Sequence, residues 1–451
     1  MSNHIVVGGG IAGLLASILL QKYHPQDSVT LLEQGDQCGG LLGSVRNEDG
    51  VEFDFGTHIP GGMKHSEIDE ILFGGLDLTK WNVLPKLTPG NVSYDKQYYQ
   101  YCQLPYLAGM GQPDLSQATW QLLTADVEAA AKAANSESFL TERYGQIFVE
   151  KFFRPVMSKL QNAPLSELHP DAINLFGYQR ILIGPAQMMR WLKAAPELDQ
   201  ILSFASYDEG LSGISHYYPN DGSGVRRWSE HLVSKAEVSG VQIRTNCKIV
   251  SVDKKDRQVC GLDVDSGEHL PVDQLYWTAP LFPLINMCRL DFESRYKPHF
   301  QPMVLHHMVY DKPFNTHNTH VYVNDAHFEM FRLTMYNNLI SNEQEPPFKI
   351  TVETLSSDIS DLEAMQKRAD TELRELGIVD DDAKLLSRMN IPVPNGFPVY
   401  TNQFVSELQR QHGAVSGSID NVTLLGKASA KNFFMKAVLL EVFNTLTSVK
   451  D

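Results

Sequence analysis

A run of branched apolar residues that breaks into glycine, HIVVGGGIAGLLASILLQKY from His4 to Tyr23, constrains the fold of this chain more than any other stretch. Gly8, Gly10 and Gly13 fit the spacing G-x-G-x-x-G, with HIVV as the strand before them and LLASILLQKY as the helix after them. In such a turn the first glycine permits a tight bend, the second lets a pyrophosphate approach the backbone, and the third lets helix and strand pack closely. The free N–H groups of the first helical turn, which contains Ile11 and Ala12, then face the phosphates along the helix dipole. A second short β run, SVTLLEQ, ends in Glu33 and Gln34, and Glu33 stands twenty positions after Gly13. A carboxylate there accepts hydrogen bonds from a ribose 2′-hydroxyl and repels a 2′-phosphate. NAD and FAD both satisfy this pattern; NADP does not.

The chain is 451 residues long, enough for two or three domains rather than one core. Its 43% apolar and 20% charged residues describe a soluble globular protein. A net charge of −16 argues against nucleic acid or an anionic membrane as a general partner and leaves room for a local basic pocket. The five cysteines, Cys38, Cys102, Cys247, Cys260 and Cys288, are scattered and form no C-x-x-C pair, which fits a reducing compartment. The uncharged stretch from Ile5 to Leu20 has no Lys or Arg before it and is interrupted by glycines, so it reads as strand, loop and helix rather than an export signal. The expected location is cytoplasmic. No other stretch approaches the roughly 20 apolar residues of a membrane span.

The residues after Glu33 separate FAD from NAD. EQGDQCGG places Gly39 and Gly40 just beyond the acid, followed by Leu41, and GVEFDFGTHIPGG brings Asp54, Gly56 and His58. With these motifs the chain resembles the flavoprotein superfamily that includes amine oxidases, protoporphyrinogen oxidases, phytoene desaturases and UDP-galactopyranose mutases. The resemblance implies FAD, held by Gly8, Gly10, Ile11, Ala12, Gly13, Glu33, Gln34, Gly40 and Leu41, and by His58, Val250 and Gly426 further on. It also places the D-x-G-x-H segment beside the flavin ring. His58 is therefore the candidate catalytic residue, with an ordinary pKa close enough to neutrality for proton transfer.

From about Gln112 to Leu202 apolar residues recur at three-to-four spacing, as in TERYGQIFVEKFFRPVMSKL and PAQMMRWLKAAPEL, and a helical insertion is expected. YGQIFVEKFFRPVMSKL looks like the family's Y-x-x-x-F…P…K segment. NLFGYQRIL, with Tyr178 and Arg180, sits where polysaccharide-related members carry an arginine, a residue able to hold a phosphate or carboxylate. HYYPNDGSGV, with Tyr217 and Tyr218, leads to a helix and to VQIRTNCKIVSVD, a strand pair similar to the family's return to its FAD domain, where Val250 would meet the adenine end through its backbone. DQLYWTAPLFPLI looks like the last crossing strand, ended by Thr278 and Pro280.

MVLHHMVYD, THVYVND, FEMFRLTMYNN and FKITVETL read as an antiparallel sheet, which in this superfamily faces the flavin across the substrate cavity. Within it MFRLTMYNN resembles an arginine-containing strand of the sugar-processing branch and nominates Arg332 and Tyr336. His306, His307, His317 and His320 carry no metal-ligand spacing, and no metal site is expected. The family closes with a strand, G-[RD] and a helix over the flavin. NVTLLGKASAKNFFMKAVLLEVFNTL has the strand, Gly426 and the helix, but Lys427 replaces the expected residue, no acid follows until Glu441, and Lys431 and Lys436 add positive charge.

The expected class is α/β with α+β: a Rossmann-like FAD-binding domain with a helical insertion and an antiparallel-sheet substrate domain. Residues 1–75, 215–290 and 390–451 form the discontinuous FAD domain, 76–214 the insertion and 291–389 the β-rich domain. The expected function is an FAD-dependent oxidoreductase taking a hydride from a small molecule. Two alternatives stand beside it: a redox-neutral nucleotide-sugar mutase-like enzyme, for which Arg180, Arg332, Tyr217, Tyr218 and Tyr336 would bind diphosphate and base, and a flavin-binding protein without standard catalysis.

Overall fold

A computed structural model describes residues 1–451 apart from 101, 103, 205–208, 210–212, 341–344, 430, 431, 433 and 449–451. Lys431 thus lies outside the described residues. Strands β1 (Asn3–Val7) and β2 (Ser28–Leu32) are apolar and β-branched, and each buries its last four positions in succession. Burial without alternation marks strands covered on both faces, as in a parallel sheet. With β9 (Gln242–Arg244), β13 (Gln274–Trp277) and β19 (Val422–Leu424) they form a five-stranded, all-parallel sheet of order β19-β13-β1-β2-β9. Its strands come from the start, middle and end of the chain.

Helix α1 (Ile11–Tyr23) joins β1 to β2 and is buried from Ala12 through Leu20. It is apolar on every side because it is enclosed on every side, by the sheet and by the helices Arg226–Ser239 and Met435–Thr447. The helix stops at His24, where Pro25 disfavours the helical conformation of the residue before it.

A seven-stranded sheet forms the second body, in the order β18 (Leu385–Pro398), β14 (Phe300–Tyr310), β17 (Phe348–Leu355), β16 (Met330–Met335), β15 (His320–Val323), β6 (Pro89–Val92) and β7 (Tyr98–Tyr99). The four runs expected to be strands are β14 to β17. All pairings are antiparallel except β15 with β6. Strand β17 is buried at every position, while β18, with Pro392, Pro394 and Pro398, takes the edge, where missing N–H donors are tolerated. Strands β6 and β7 come from the stretch 76–214 read as helical. At four and two residues they are too short to carry a periodic signal. Strand β18 likewise runs past residue 390, where the nucleotide domain was expected to resume.

The helical region packs on one face of this sheet around Leu140, Tyr144, Phe148, Phe152, Phe153 and Met157, together with Leu305 and Phe331 of the sheet. Its main segment is broken rather than continuous. Gly145 sits at φ 91° after the helix Ser136–Tyr144, and a π-helical turn, Val149–Phe153, leads into Arg154–Gln161. The smaller pairs are β3 (Ser44–Arg46) with β4 (Glu52–Asp54), β5 (Trp81–Leu84) with β8 (His216–Pro219), and the three-stranded β10 (Ile249–Lys255), β11 (Gln258–Val264) and β12 (His269–Pro271). No helix among the described residues is long and apolar enough to cross a membrane.

Candidate functional site

The glycine loop has the geometry its spacing predicts. Gly8 turns at φ 102°, and a Cβ there would lie 2.3 Å from the Thr278 hydroxyl oxygen. A Cβ on Gly13 would fall 1.9 Å from the Gly8 carbonyl oxygen, so helix and strand touch through this residue. Gly10 differs: a Cβ there would meet nothing within 4 Å. It caps α1 without a side-chain partner, and the first turn, Ile11 to Gly13, holds no acid. Open space beside unpaired helical N–H groups is what a pyrophosphate requires. The Glu33 carboxylate accepts the Gly9 N–H and the Gly35 N–H, both at 2.7 Å, so it braces the loop while keeping further lone pairs for a ribose.

The second glycine pair closes onto the first. The Gly39 N–H donates to the Gly9 carbonyl at 2.8 Å, and Gly40, at φ 57°, approaches the Gly10 Cα. Gln34 and Leu41 lie exposed at this edge, Leu41 at 59%. From the far end of the chain, Gly426 adopts φ 60°, and a Cβ there would come within 2.8 Å of the Ala12 Cβ. The terminal motif therefore lands on the first turn of α1. These residues fit a dinucleotide, and the donor set is that of FAD or NAD.

His58 stands where this body meets the seven-stranded sheet. Burial, with the charge of Arg332 next and Lys427 adding to it, pushes its pKa down to about 4 despite the opposing pull of Glu353. Its Nδ1 is buried without a hydrogen bond. The expectation of a near-neutral pKa thus fails for a physical reason: the imidazole is desolvated beside fixed cations, and at pH 7 it is neutral. Arg332 is held by Glu353 through two parallel bonds, Nε to Oε1 at 2.6 Å and Nη2 to Oε2 at 2.7 Å. Glu353 also accepts the Thr57 N–H at 3.0 Å and the Thr57 hydroxyl at 3.2 Å, tying the DFGTH segment to the sheet. His320, lowered to about 3 by burial, Arg332 and His216, and His216, lowered to about 4 by burial and Lys436, complete the group. Lys427 is an exposed residue whose pKa is lowered by partial desolvation of its ammonium.

The other nominated side chains are engaged elsewhere. Arg180 donates to the Asp199 and Leu202 carbonyls at 2.5 and 2.9 Å, fastening a turn of the helical region. Tyr217 stacks on Phe73 at 4.3 Å between centroids, and Phe73 stacks on Trp228. The Tyr336 hydroxyl accepts the Asp54 N–H at 3.1 Å and bonds Thr351 at 2.7 Å, deep in the core. Tyr218 donates to Asp54 at 2.6 Å. Val250 is 53% exposed at an irregularity in the β10–β11 pairing, whereas the N–H groups of Asn246 and Cys247 bond the Gly35 and Glu33 carbonyls. His306 and His307 bond Asn390 and Thr351 on opposite neighbouring strands.

Since Arg180 serves backbone carbonyls, Arg180→Ala is expected to lower stability by about 1 kcal/mol and leave turnover within about twofold of wild type, checked by thermal melts and steady-state kinetics. Sequence reading missed Glu353, Thr57 and His216. A signal existed for Glu353: in FKITVETL two charges, Lys349 and Glu353, sit four apart in an otherwise apolar strand, and buried charges require partners.

Residues 6–71 match the family model of the NAD(P)-binding Rossmann-like domain. The 4,4′-diapolycopene oxygenase of Methylomonas sp. is 25% identical over 324 residues, covering 67% of this chain and 62% of that protein. The chain spans less than two thirds of the length of the first curated relatives it matches. Among solved structures, reduced UDP-galactopyranose mutase superposes with a TM-score of 0.75 at 14% identity, over 100% of this chain and 94% of the other. Putrescine oxidase superposes with a TM-score of 0.62 at 11% identity, over 99% and 98%.

Proposed function

We propose that this chain, which has the fold of the FAD-dependent amine oxidase-like superfamily, is an FAD-dependent oxidoreductase acting on a small molecule by hydride transfer. The observation that carries the reading is the first turn of α1, with Gly10 open and Glu33 braced beside it. Bound FAD supplies a two-electron acceptor. The chain supplies the rest: Glu33 fixes the loop, Arg332 presents a guanidinium oriented by Glu353, and His58 offers a neutral imidazole as a hydrogen-bonding group. Lys427 opposes a protonated amine near His58, and Arg332 does so only in part because Glu353 neutralises it, so cationic substrates such as the putrescine of the solved neighbour are disfavoured.

The same two cations favour, as a second reading, a redox-neutral reaction on a nucleotide sugar, since they suit a diphosphate. Against it, Tyr217 and Tyr336 are committed to core contacts and are not free to stack on a base.

The purified protein is expected to show flavin absorption, or to acquire it with added FAD. Anaerobic substrate should bleach it, whereas a mutase would need prior reduction and show no net electron transfer. Absence of flavin bands together with failure to bind added FAD removes the whole proposal. Glu33→Ala is expected to weaken FAD binding by about 10- to 100-fold, the worth of one or two charge-assisted hydrogen bonds. Unchanged affinity in a fluorescence titration removes the role given to Glu33.

A further inference from the structure

At the end of β1 opposite the glycine loop, three potential ligands converge. His4 is the second residue of β1, His24 follows the last residue of α1, and Asp27 precedes β2. The strand–helix–strand path brings them together, because the chain leaves α1 and enters β2 beside the start of β1, where His4 pairs with Val29. One donor atom from each side chain lies within 4.8 Å of the others. His4 Nε2 is 3.2 Å and His24 Nδ1 4.0 Å from the same oxygen, Asp27 Oδ2, and the two imidazoles stack at 5.2 Å.

The surrounding bonds leave these donor atoms facing one another. His4 Nδ1 lies 3.3 Å from the Tyr276 hydroxyl on β13, and the second carboxylate oxygen of Asp27 accepts the Ser2 N–H at 2.7 Å. Outer partners of this kind orient imidazole and carboxylate ligands around metals. His4 is buried, Asp27 partly buried and His24 exposed, so the cluster is anchored on one side and open to entry on the other.

We propose that His4, His24 and Asp27 bind a divalent ion of the zinc class, clasping the start of β1, the end of α1 and the start of β2. Two imidazole nitrogens and one carboxylate oxygen form a donor set suited to zinc, with water completing the shell. Tetrahedral ligands about 2.0–2.2 Å from zinc lie roughly 3.3–3.5 Å from one another. The His4–Asp27 separation is already that short, and the His24 separation closes by a small rotation of an exposed ring. Ion pairing with Asp27 accounts for each imidazole taken singly, and a bound ion accounts for three donors turned toward one another at one point.

The test titrates zinc chloride into the full chain after chelator treatment, by calorimetry, alongside His24→Ala and Asp27→Asn. The wild type is expected to bind one equivalent with micromolar or tighter affinity and to melt at a higher temperature with the ion present. Each variant is expected to lose at least tenfold in affinity and the rise in melting temperature, with its circular dichroism unchanged. No stoichiometric binding by the wild type overturns the proposal, as does equal binding by His24→Ala, which would put the ion elsewhere. If one variant fails to fold, the other carries the comparison. None of these outcomes depends on the function of the flavin site.

Discussion

Lowering the pH from 7 to 5.5 is expected to reduce the unfolding free energy by about 3–4 kcal/mol, read as a fall in the urea midpoint followed by tryptophan fluorescence. Four histidines with strongly lowered pKa values set this expectation, His307 and His320 buried and His58 and His216 half-buried. His58 and His216 are pushed down to about 4, and His307 and His320 to about 3, with burial as the first cause in each. In the unfolded chain each titrates near 6.5. Between the unfolded and folded values the unfolded state binds the proton and the folded state does not, so stability falls as pH falls. Each histidine contributes on the order of 1 kcal/mol over this interval. Asp54 acts in the opposite direction. Burial raises its carboxyl to about 6, above the unfolded value, so its contribution is present at low pH and lost as pH rises through about 6; it offsets roughly 1 kcal/mol. His320→Asn should flatten the profile by about a quarter of the histidine effect. A midpoint that holds steady between pH 7 and 5.5 would show that these rings titrate near the ordinary value and would remove the lowered values from the account.

What the sequence disclosed and what it withheld divide along a physical line. The glycine loop was legible because its constraints fall on backbone that only glycine leaves clear: Gly13 touches Gly8 five positions back, and Gly39 bonds Gly9 from thirty positions on. Strands β14, β16 and β17 were legible because apolar runs of six to eleven residues announce themselves, and the four-residue β15 because HVYV is β-branched and aromatic where the equally short β6, PGNV, is not. Side-chain partners were not, since they are chosen by tertiary packing. Arg180 and Arg332 look alike in sequence, yet one fastens carbonyls of its own region and the other meets a carboxylate 21 positions away on a neighbouring strand. Tyr217 and Tyr336 were nominated as stacking rings, but Tyr336 is a core residue and the half-buried Tyr217 is already stacked on Phe73. Val250 was set by position, for a backbone contact; the bulge in its strand leaves it out of register, and the backbone of Asn246 and Cys247 bonds the residues around Glu33 instead.

Arg332→Met is expected to destabilise the protein by about 3–5 kcal/mol, because it strands a fully buried carboxylate. The Glu353 side chain is 0% exposed and that of Arg332 19%. Without the guanidinium, Glu353 keeps only the two Thr57 donors. A Cβ on Gly56, at φ 88°, would lie 3.0–3.1 Å from the Glu353 carboxyl group, so the backbone closes one side against compensating water. The double variant Arg332→Met/Glu353→Gln removes the stranded charge and is expected to recover part of the loss, since the cost lies in the unpaired ion more than in the missing pair. Thermal and urea unfolding of Arg332→Met, Glu353→Gln and the double variant decide it. A single variant as stable as wild type, or a double variant showing the simple sum of the two single losses, removes the coupling. Flavin affinity is expected to hold in Arg332→Met and the double variant, because the pair braces Thr57 and the sheet while Glu33 and the first turn of α1 stand apart from it. Retained flavin with altered substrate kinetics would therefore assign Arg332 to the substrate side of the cavity and leave the cofactor to the loop.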